Sequence, residues 1–272
     1  MGAEGTLGII TAASLRLFPK IENKVTGFAS LKDLDSAIKL LEILKEFSGD
    51  LLTSYELIPA IGLHIATEYG DNITEPLKNR EQWNVIIEFS DTKNNNNAHD
   101  ILQESLQHSI TQGIVLDAVI ANSISQTNNI WKIRKAIVEH QPKLGVEIKH
   151  DVSVPISSVP EFIQTTIEKL REYIPNIRPV PYGHIGDGNI HFNVCPPIDY
   201  PEQLFKDKTS DIREIVYSNV NSLGGSFAAE HGVGIIKKKQ MLKYKDKVEL
   251  EIMKDIKALL DPKNIINPGK IL

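Results

Sequence analysis

The most informative segment of the sequence is Pro181-Tyr-Gly-His-Ile-Gly-Asp-Gly-Asn-Ile-His-Phe-Asn193, which predicts a strand pair and carries the most distinctive side chains of the chain. Successive side chains of a strand point to opposite faces, so Asn189, His191 and Asn193 share one face and the apolar residues between them share the other. The three glycines after Tyr182 indicate a tight turn. The pattern therefore predicts two strands, over residues 178–183 and 189–194, that a glycine turn joins.

Helix and strand patterns alternate on both sides of this stretch. Apolar residues spaced three and four apart predict helices at 33–47, 98–110, 128–140, 212–223 and 248–260, and a further helix that begins at Ser158 and carries Phe162 and Leu170. Runs rich in β-forming residues predict further strands, at 7–17, 83–89, 114–120 and 145–156. The polar run Asn94–Asn97 predicts a surface loop. Together these patterns predict an α+β fold with an antiparallel sheet that helices cover on one face, followed by a C-terminal helical segment.

Length, charge and cysteine content exclude several classes of protein. A chain of 272 residues can bury a core without disulfide bonds. Its 30 basic and 35 acidic residues give a net charge of −5, which argues against a general nucleic-acid-binding protein. Cys195 is the single cysteine, so an internal disulfide framework is excluded and a reducing compartment is favoured. No apolar run approaches the roughly 18 residues that cross a bilayer. We expect a cytoplasmic protein, either free or peripheral to the inner membrane.

The first candidate site is a pair of histidines around the glycine turn. If the turn folds back, His184 comes close to His191, and two neutral imidazoles at that range are half of a zinc-type site. A third ligand is available in Ala229-Glu-His-Gly-Val-Gly234, where Glu230 and His231 should point apart and do different jobs. The alternatives are a hairpin whose histidines are structural and a helix N-terminus that Glu230 stabilises through the helix dipole.

Two basic residues are candidates for holding a carboxylate. Arg134 lies on a predicted helix, and Lys149 lies on the polar face of the strand predicted at 145–156. Arginine can donate two parallel hydrogen bonds to a carboxylate, and lysine offers a single positive charge. The alternative is solvated surface charge, which is the usual fate of both residue types. We interpret Lys237-Lys-Lys239 as a solvated face without an assigned role.

Four segments resemble a known family. Gly2-Ala-Glu-Gly-Thr-Leu-Gly-Ile-Ile-Thr11 resembles the end of the flavin-binding domain of FAD-linked oxidases of the D-2-hydroxyacid dehydrogenase type. The C-terminal half of that family is matched, in order, by three motifs: Gly183-His-Ile-Gly-Asp-Gly-Asn-Ile-His191, Glu230-His-Gly-Val-Gly234 and Leu260-Asp-Pro-Lys-Asn-Ile-Ile-Asn-Pro-Gly-Lys270. The family includes D-lactate and D-2-hydroxyglutarate dehydrogenases and the glycolate oxidase flavoprotein subunit.

The resemblance implies a division of the chain and a set of cofactors. It implies a remnant of the FAD-binding domain at 1–20, a ferredoxin-like substrate or cap domain at 21–200 and a helical segment at 201–272 that completes the site. It also implies FAD, held mostly by a missing N-terminal domain, and a divalent metal, usually zinc. The expected partners are a small 2-hydroxy carboxylic acid, that FAD-binding domain and an electron acceptor, with a homodimer as one alternative and no nucleic acid.

The resemblance also implies roles for individual residues. The metal ligands of relatives match His184, His191 and Glu230. The proposed base, which takes the hydroxyl proton while hydride passes to the flavin, matches His231. Residues that contact the substrate match Arg134, Lys149, Asn193 and His231. Residues near the flavin match Glu4, Gly5, Thr6, Gly8 and Ile9.

Three hypotheses for function follow. The first is the substrate- and metal-binding portion of a flavin-dependent dehydrogenase that oxidises a D-2-hydroxy acid, of the D-lactate or D-2-hydroxyglutarate type, to the 2-oxo acid. The second is a metal-dependent hydrolase, because two histidines and a glutamate also suit an activated water. The third is a catalytically inactive fragment that lacks the FAD domain, which is compatible with the first.

Overall fold

A computed structural model of the chain describes residues 2–93 and 97–272. Its first sheet has four antiparallel strands: β1 (Asn23–Leu31), β2 (Leu52–Pro59), β3 (Trp83–Asp91) and β4 (Val115–Ile120). The helices that connect them are α1 (Leu34–Ser48), α2 (Ala60–Tyr69) and α3 (Asn97–Thr111). The strand order is β2-β3-β1-β4, so β3 lies between the strands of the first βαβ unit and β1 between those of the second. This is the split βαβ arrangement of ferredoxin-like domains.

The second sheet has three antiparallel strands in the order β5-β7-β6: β5 (Asp151–Ser153), β6 (Arg178–Tyr182) and β7 (Asn189–Cys195). Helix α4 (Ile124–His140) precedes it, and α5 (Val159–Tyr173) joins β5 to β6. The remaining helices follow: α6 (Glu202–Asp207), α7 (Thr209–Ser222), α8 (Lys238–Tyr244) and α9 (Lys247–Leu260). The two sheets meet where Leu57 of β2 exchanges backbone hydrogen bonds with Gly183, just after β6.

Local sequence accounts for most of these elements. Asp33 caps α1 by accepting a hydrogen bond from the Ser36 amide at 2.8 Å, and Gly49 ends the helix at a positive φ. The predicted strands 178–183 and 189–194 form β6 and β7, with Phe192 buried in the core and His191 on the opposite face. Within the part of the chain that is described, no helix is long and apolar enough to cross a bilayer.

The α+β class with antiparallel strands is confirmed, but helices cover both faces of the four-stranded sheet rather than one. Ala29 and Ile87 face the core that contains α1 and α3, whereas Phe28 and Ile86 face the core that contains α2 and α4. The physical reason is that neighbouring residues of the central strands are both apolar. Each face therefore carries surface whose burial is favourable.

One predicted strand is absent from the structure, and another is shorter than predicted. Residues 7–17 form no strand, and Leu17 is 89% exposed, because a strand needs a partner for its backbone groups and no described segment lies beside this one. The strand predicted at 145–156 pairs regularly only over Asp151–Ser153 and through a bridge at Ile148. The ladder is interrupted because the amide of His150 donates to the side chain of Asn193. Of the loop predicted at Asn94–Asn97, residues 94–96 lie outside the described residues and Asn97 begins α3.

Candidate active site

The turn between β6 and β7 brings the two predicted histidines together. Gly188 has a φ of +73°, and a Cβ atom there would lie 2.1 Å from the carbonyl oxygen of Val154. Only glycine satisfies both the backbone angle and this close approach. The ring centroids of His184 and His191 consequently lie 5.7 Å apart in an edge-on arrangement.

The loop that carries Glu230 and His231 is held against this turn by Asp151 of β5. One carboxylate oxygen of Asp151 accepts hydrogen bonds from the amides of Glu230 and His231, at 3.0 and 2.8 Å. The Glu230 carboxylate then lies 3.2 Å from Nε2 of His191 and 3.9 Å from Nε2 of His184. The structure thus brings together the three side chains that were expected to bind a metal.

His231 lies at the mouth of the same cluster. Its ring stacks on that of His191 with centroids 5.5 Å apart, and its Nε2 lies 3.4 Å from Glu230. The side chain is 65% exposed. Ligand-type atoms of Asp151, His191, Glu230 and His231 all lie within 4.8 Å of one another.

Glu56 of β2 is a site residue that the sequence analysis missed. Its buried carboxylate accepts a hydrogen bond from Nε of Arg134 at 2.7 Å and another from Nδ1 of His184. Nδ1 of His184 is thereby engaged, which leaves Nε2 on the side of Glu230. The available signal was a lone acidic residue in an apolar strand, because a buried carboxylate needs a partner. The sequence did not reveal which partner.

These contacts set the protonation states of the cluster. Burial opposes ionisation of Glu56, but the hydrogen bond from His184 and the charge of Arg134 outweigh it and lower the pKa of this carboxyl group. The hydrogen bond to Glu56 raises the pKa of His184. Burial, together with the charge of Arg134, lowers the pKa of His191 to about 4. His191 is therefore neutral at pH 7 and its ring has a lone pair to offer.

The three expected substrate-binding residues besides His231 line one cavity of about 830 Å³ together with the histidine cluster. Arg134 uses Nε to bind Glu56, and its guanidinium lies 4.6 Å from the ring centre of Tyr182. Lys149 is exposed and pairs with Glu147 at 2.6 Å. The amide of Asn193 is buried and donates to Gln141 and to the hydroxyl of Tyr182.

The residues expected to contact a flavin lie outside the lining of this cavity. Glu4 accepts hydrogen bonds from the amides of Val233 and Gly234, at 2.7 and 2.8 Å, and so fixes the loop that follows His231. Thr6 is buried, and its carbonyl accepts a hydrogen bond from Lys257. Three further residues complete this expected set and are less buried: Gly5, Gly8 and Ile9.

Lys237 departs from the prediction of a solvated lysine run. Its side chain is 13% exposed, and its ammonium group donates to the backbone carbonyl of Asp151 at 3.2 Å. Burial lowers the pKa of Lys237. Lys237 is thus part of the wall of the cavity rather than part of a solvated face.

Comparison with known sequences decides the family. The sequence profile described as "FAD linked oxidases, C-terminal domain" matches residues 20–271. The chain belongs to this family. Among solved structures, the FAD-linked oxidase fold of this chain is similar to p-cresol methylhydroxylase with substrate bound, with a TM-score of 0.63, 10% identity and coverage of 93% of this chain and 53% of the other. It is also similar to 4-ethylphenol oxidase from Gulosibacter chungangensis, with a TM-score of 0.63 and 14% identity over 94% of this chain and 55% of the other.

Curated relatives of this FAD-linked oxidase domain are similar over the whole chain. The mitochondrial D-2-hydroxyglutarate dehydrogenase of Arabidopsis thaliana is 33% identical, and the match covers 100% of this chain and 47% of that protein. The D-2-hydroxyglutarate dehydrogenase of Stutzerimonas stutzeri is 34% identical over 100% of this chain and 57% of that protein. The chain therefore spans about half the length of the curated relatives that it matches.

Proposed function

We propose that this chain is the substrate- and metal-binding portion of a flavin-dependent dehydrogenase that oxidises a D-2-hydroxy acid to the 2-oxo acid. One observation carries the proposal: in a C-terminal domain of the FAD-linked oxidase family, the cluster of His184, His191, His231 and Glu230 shares a cavity with Arg134 and Lys149. Substrates of the D-2-hydroxyglutarate type are favoured over those of the D-lactate type, because the curated relatives described above carry that name.

The donor set fits a divalent metal such as zinc. His184 and His191 each present Nε2 towards Glu230, and zinc is commonly bound by imidazole nitrogens and carboxylate oxygens, with a position left open in catalytic sites. His184 donates its other nitrogen to Glu56, which is the outer hydrogen bond that metal-bound histidines usually make. The low pKa of His191 keeps it unprotonated, as a ligand must be. A cation held there would supply Lewis acidity to a substrate oxygen.

The remaining residues would bind and orient the acid. Arg134 retains its Nη donors for a carboxylate, since the one hydrogen bond that its guanidinium makes within the described residues uses Nε. Lys149 would exchange Glu147 for the same carboxylate. Both cations line the cavity that also contains His184 and His191, so they would hold the substrate with its hydroxyl near the histidine cluster.

His231 would take the hydroxyl proton. Oxidation of a 2-hydroxy acid removes one proton from oxygen and one hydride from C2, and it leaves a carbon–oxygen double bond. The imidazole of His231 is exposed, and its Nδ1 and Nε2 atoms lie 3.9 Å from Asp151 and 3.4 Å from Glu230. FAD, when bound, supplies the hydride acceptor, and an electron acceptor then reoxidises it.

The division of the chain belongs to the same proposal. Residues 1–20 would be the end of an FAD-binding domain, 21–200 the substrate domain and 201–272 the segment that completes the site. The hydrogen bonds from Val233 and Gly234 to Glu4 support this, because they connect the first and third segments beside His231. The flavin-contacting role would fall to Glu4, Gly5, Thr6, Gly8 and Ile9 once the preceding domain is present.

The test uses the complete flavoprotein that carries this chain. With D-2-hydroxyglutarate, D-lactate or glycolate and a dye as electron acceptor, His231→Gln should lower kcat by about 10²- to 10⁴-fold. His99→Gln, on a separate helix, is the matched control and should leave kcat unchanged. Unchanged turnover of the His231 variant would remove this residue from the chemistry.

A second measurement tests the metal and the hydrolase alternative. Elemental analysis of chelator-free protein should find about one zinc or manganese per chain, and His191→Ala should lower this content. No metal in either protein would contradict the ligand set. Hydrolysis of simple esters or amides by the metal-loaded chain without a redox cofactor would favour the hydrolase.

A further inference from the structure

A second group of polar side chains lines the same cavity beyond Asp151. Arg213 of α7 reaches the cavity wall, and its Nε atom is buried without a hydrogen-bond partner. Among the described residues, no carboxylate forms an ion pair with Arg213. A buried guanidinium donor without an acceptor is costly, so this arrangement indicates a place where an acceptor binds.

An unpartnered acceptor faces the same space. His150 is 2% exposed and lines the cavity. Its Nδ1 lies 2.7 Å from the carbonyl oxygen of Phe192, so Nδ1 carries the hydrogen and Nε2 is left with a lone pair. Nε2 is buried and has no partner. The ring of Tyr217, one helical turn from Arg213 on α7, packs edge-on against His150 with centroids 5.3 Å apart and so fixes its orientation.

The charges around this group are already assigned, apart from that of Arg213. Lys237 lines the same cavity and donates to the backbone carbonyl of Asp151. The carboxylate of Asp151 accepts hydrogen bonds from the amides of Glu230 and His231. The carboxylate of Glu4 accepts hydrogen bonds from the two amides at 233 and 234. The ammonium group of Lys237 also lies 3.8 Å from Oδ2 of Asp151, and Oδ1 of Asp151 is buried without a hydrogen-bond partner. Among the described residues of this group, Arg213 is therefore the cation that has no ion pair, and Lys237 would share its ammonium hydrogens between Asp151 and an incoming anion.

We propose that Arg213, Lys237 and His150 form a second binding site, for a small oxyanion that carries both an ionised oxygen and an O–H group. The ionised oxygen would accept from Arg213 and Lys237, and the O–H group would donate to Nε2 of His150. Hydrogen phosphate and a 2-hydroxycarboxylate share this chemistry. The site is distinct from the cluster of His184, His191 and Glu230, and its occupation requires neither a metal nor a flavin.

The requirement for an O–H group gives a sharp test. Sulfate has the size and charge of hydrogen phosphate but has no proton to donate at neutral pH. Calorimetric titration of the metal-free 272-residue chain should therefore show binding of inorganic phosphate and binding of sulfate at least about 10-fold weaker. Equal affinities, or no binding of phosphate and no binding of a 2-hydroxy acid, would overturn the proposal.

Variants locate the site. Arg213→Gln should weaken phosphate binding by about 10- to 100-fold, because it removes a charged donor. Arg171→Gln, at an exposed position of α5, is the matched control and should bind as the unaltered chain does. If Arg213→Gln does not fold, Arg213→Lys keeps the charge and loses only the paired donors, and intermediate affinity is expected. Normal affinity in either folded Arg213 variant would refute the site.

A spectroscopic measurement separates this site from weak binding at the surface and identifies the source of the anion. On titration, the ¹⁵N resonance of His150 Nε2 should shift upfield as it accepts a hydrogen bond, and an unmoved resonance at saturation would contradict the proposal. Repeating the titration with D-2-hydroxyglutarate and with glutarate, which lacks the hydroxyl, decides between sources. A shift with the hydroxy acid alone assigns the site to a hydroxycarboxylate, and a shift with phosphate alone assigns it to phosphate. Equal affinities for glutarate and D-2-hydroxyglutarate would refute the requirement for an O–H group.

Discussion

Replacing Glu56 with glutamine should destabilise the fold and change the titration of His184. The carboxylate is buried between the guanidinium of Arg134, which is 14% exposed, and the imidazole of His184, which is 39% exposed. Breaking a buried ion pair costs about 3–5 kcal/mol, because one charge stays buried without its partner. We expect about 3 kcal/mol for Glu56→Gln, since the new amide oxygen still accepts from Arg134. The His184 contribution is discounted because solvent screens it.

The pH dependence of this cost has a definite sign. Glu56 raises the pKa of His184 in the folded protein, so the stability from this pair is fully present below the unfolded value of 6.5 and is lost as pH rises through the folded pKa. The cost of Glu56→Gln should therefore be larger at pH 6 than at pH 9. It should not vanish at pH 9, because Arg134 stays charged there.

Urea denaturation at several pH values measures this cost, and proton NMR follows the titration of His184. Glu42→Gln, at an exposed position of α1, is the control and should cost less than about 0.5 kcal/mol. A loss below about 1 kcal/mol for Glu56→Gln, with an unchanged pKa of His184, would show that the carboxylate does not act as the structure indicates.

Three further predictions concern the same site. The pKa of His191 is lowered to about 4, so the unfolded chain binds more protons between pH 4 and 6.5 and stability should fall as pH drops through that window; an NMR titration midpoint above 6 would contradict this. Asp151→Asn should speed hydrogen exchange of the Glu230 and His231 amides by about 10-fold, since the charged acceptor of their hydrogen bonds becomes a neutral one. Unchanged protection factors would count against a positioning role for Asp151. Gly188→Ala should cost about 2 kcal/mol or more in urea denaturation, because its Cβ would meet the carbonyl of Val154; a change below 0.5 kcal/mol would disprove the required close approach.

The elements that local sequence determines were predicted well. Helix α1 carries its capping Asp33 and its terminating Gly49 within its own segment, so spacing and end signals are sufficient to place it. Strands β6 and β7 are adjacent in sequence, and the glycine turn between them determines which residues meet. His184 and His191 could therefore be paired before the structure was known.

Contacts between distant segments could not be predicted in the same way. Glu56 lies 128 residues before His184, and nothing in the strand that carries it specifies that partner. Lys237 was wrongly assigned to a solvated face because its neighbours are lysines, and its burial depends on Asp151 from another segment. His150 lies among the apolar residues of its strand, and only the orientation of β7 shows which of its two ring nitrogens is engaged.

The junction of the two sheets has a mechanical consequence. The paired backbone hydrogen bonds of Leu57 and Gly183 lie one residue away from the Glu56–His184 contact. The histidine cluster therefore contains residues from both sheets. By thermodynamic linkage, a ligand that binds His184 more tightly when the two sheets are associated also strengthens their association. Separation of the sheets weakens the binding of that ligand by the same factor. If His184 binds a metal as proposed, metal binding and the association of the two sheets are one coupled equilibrium.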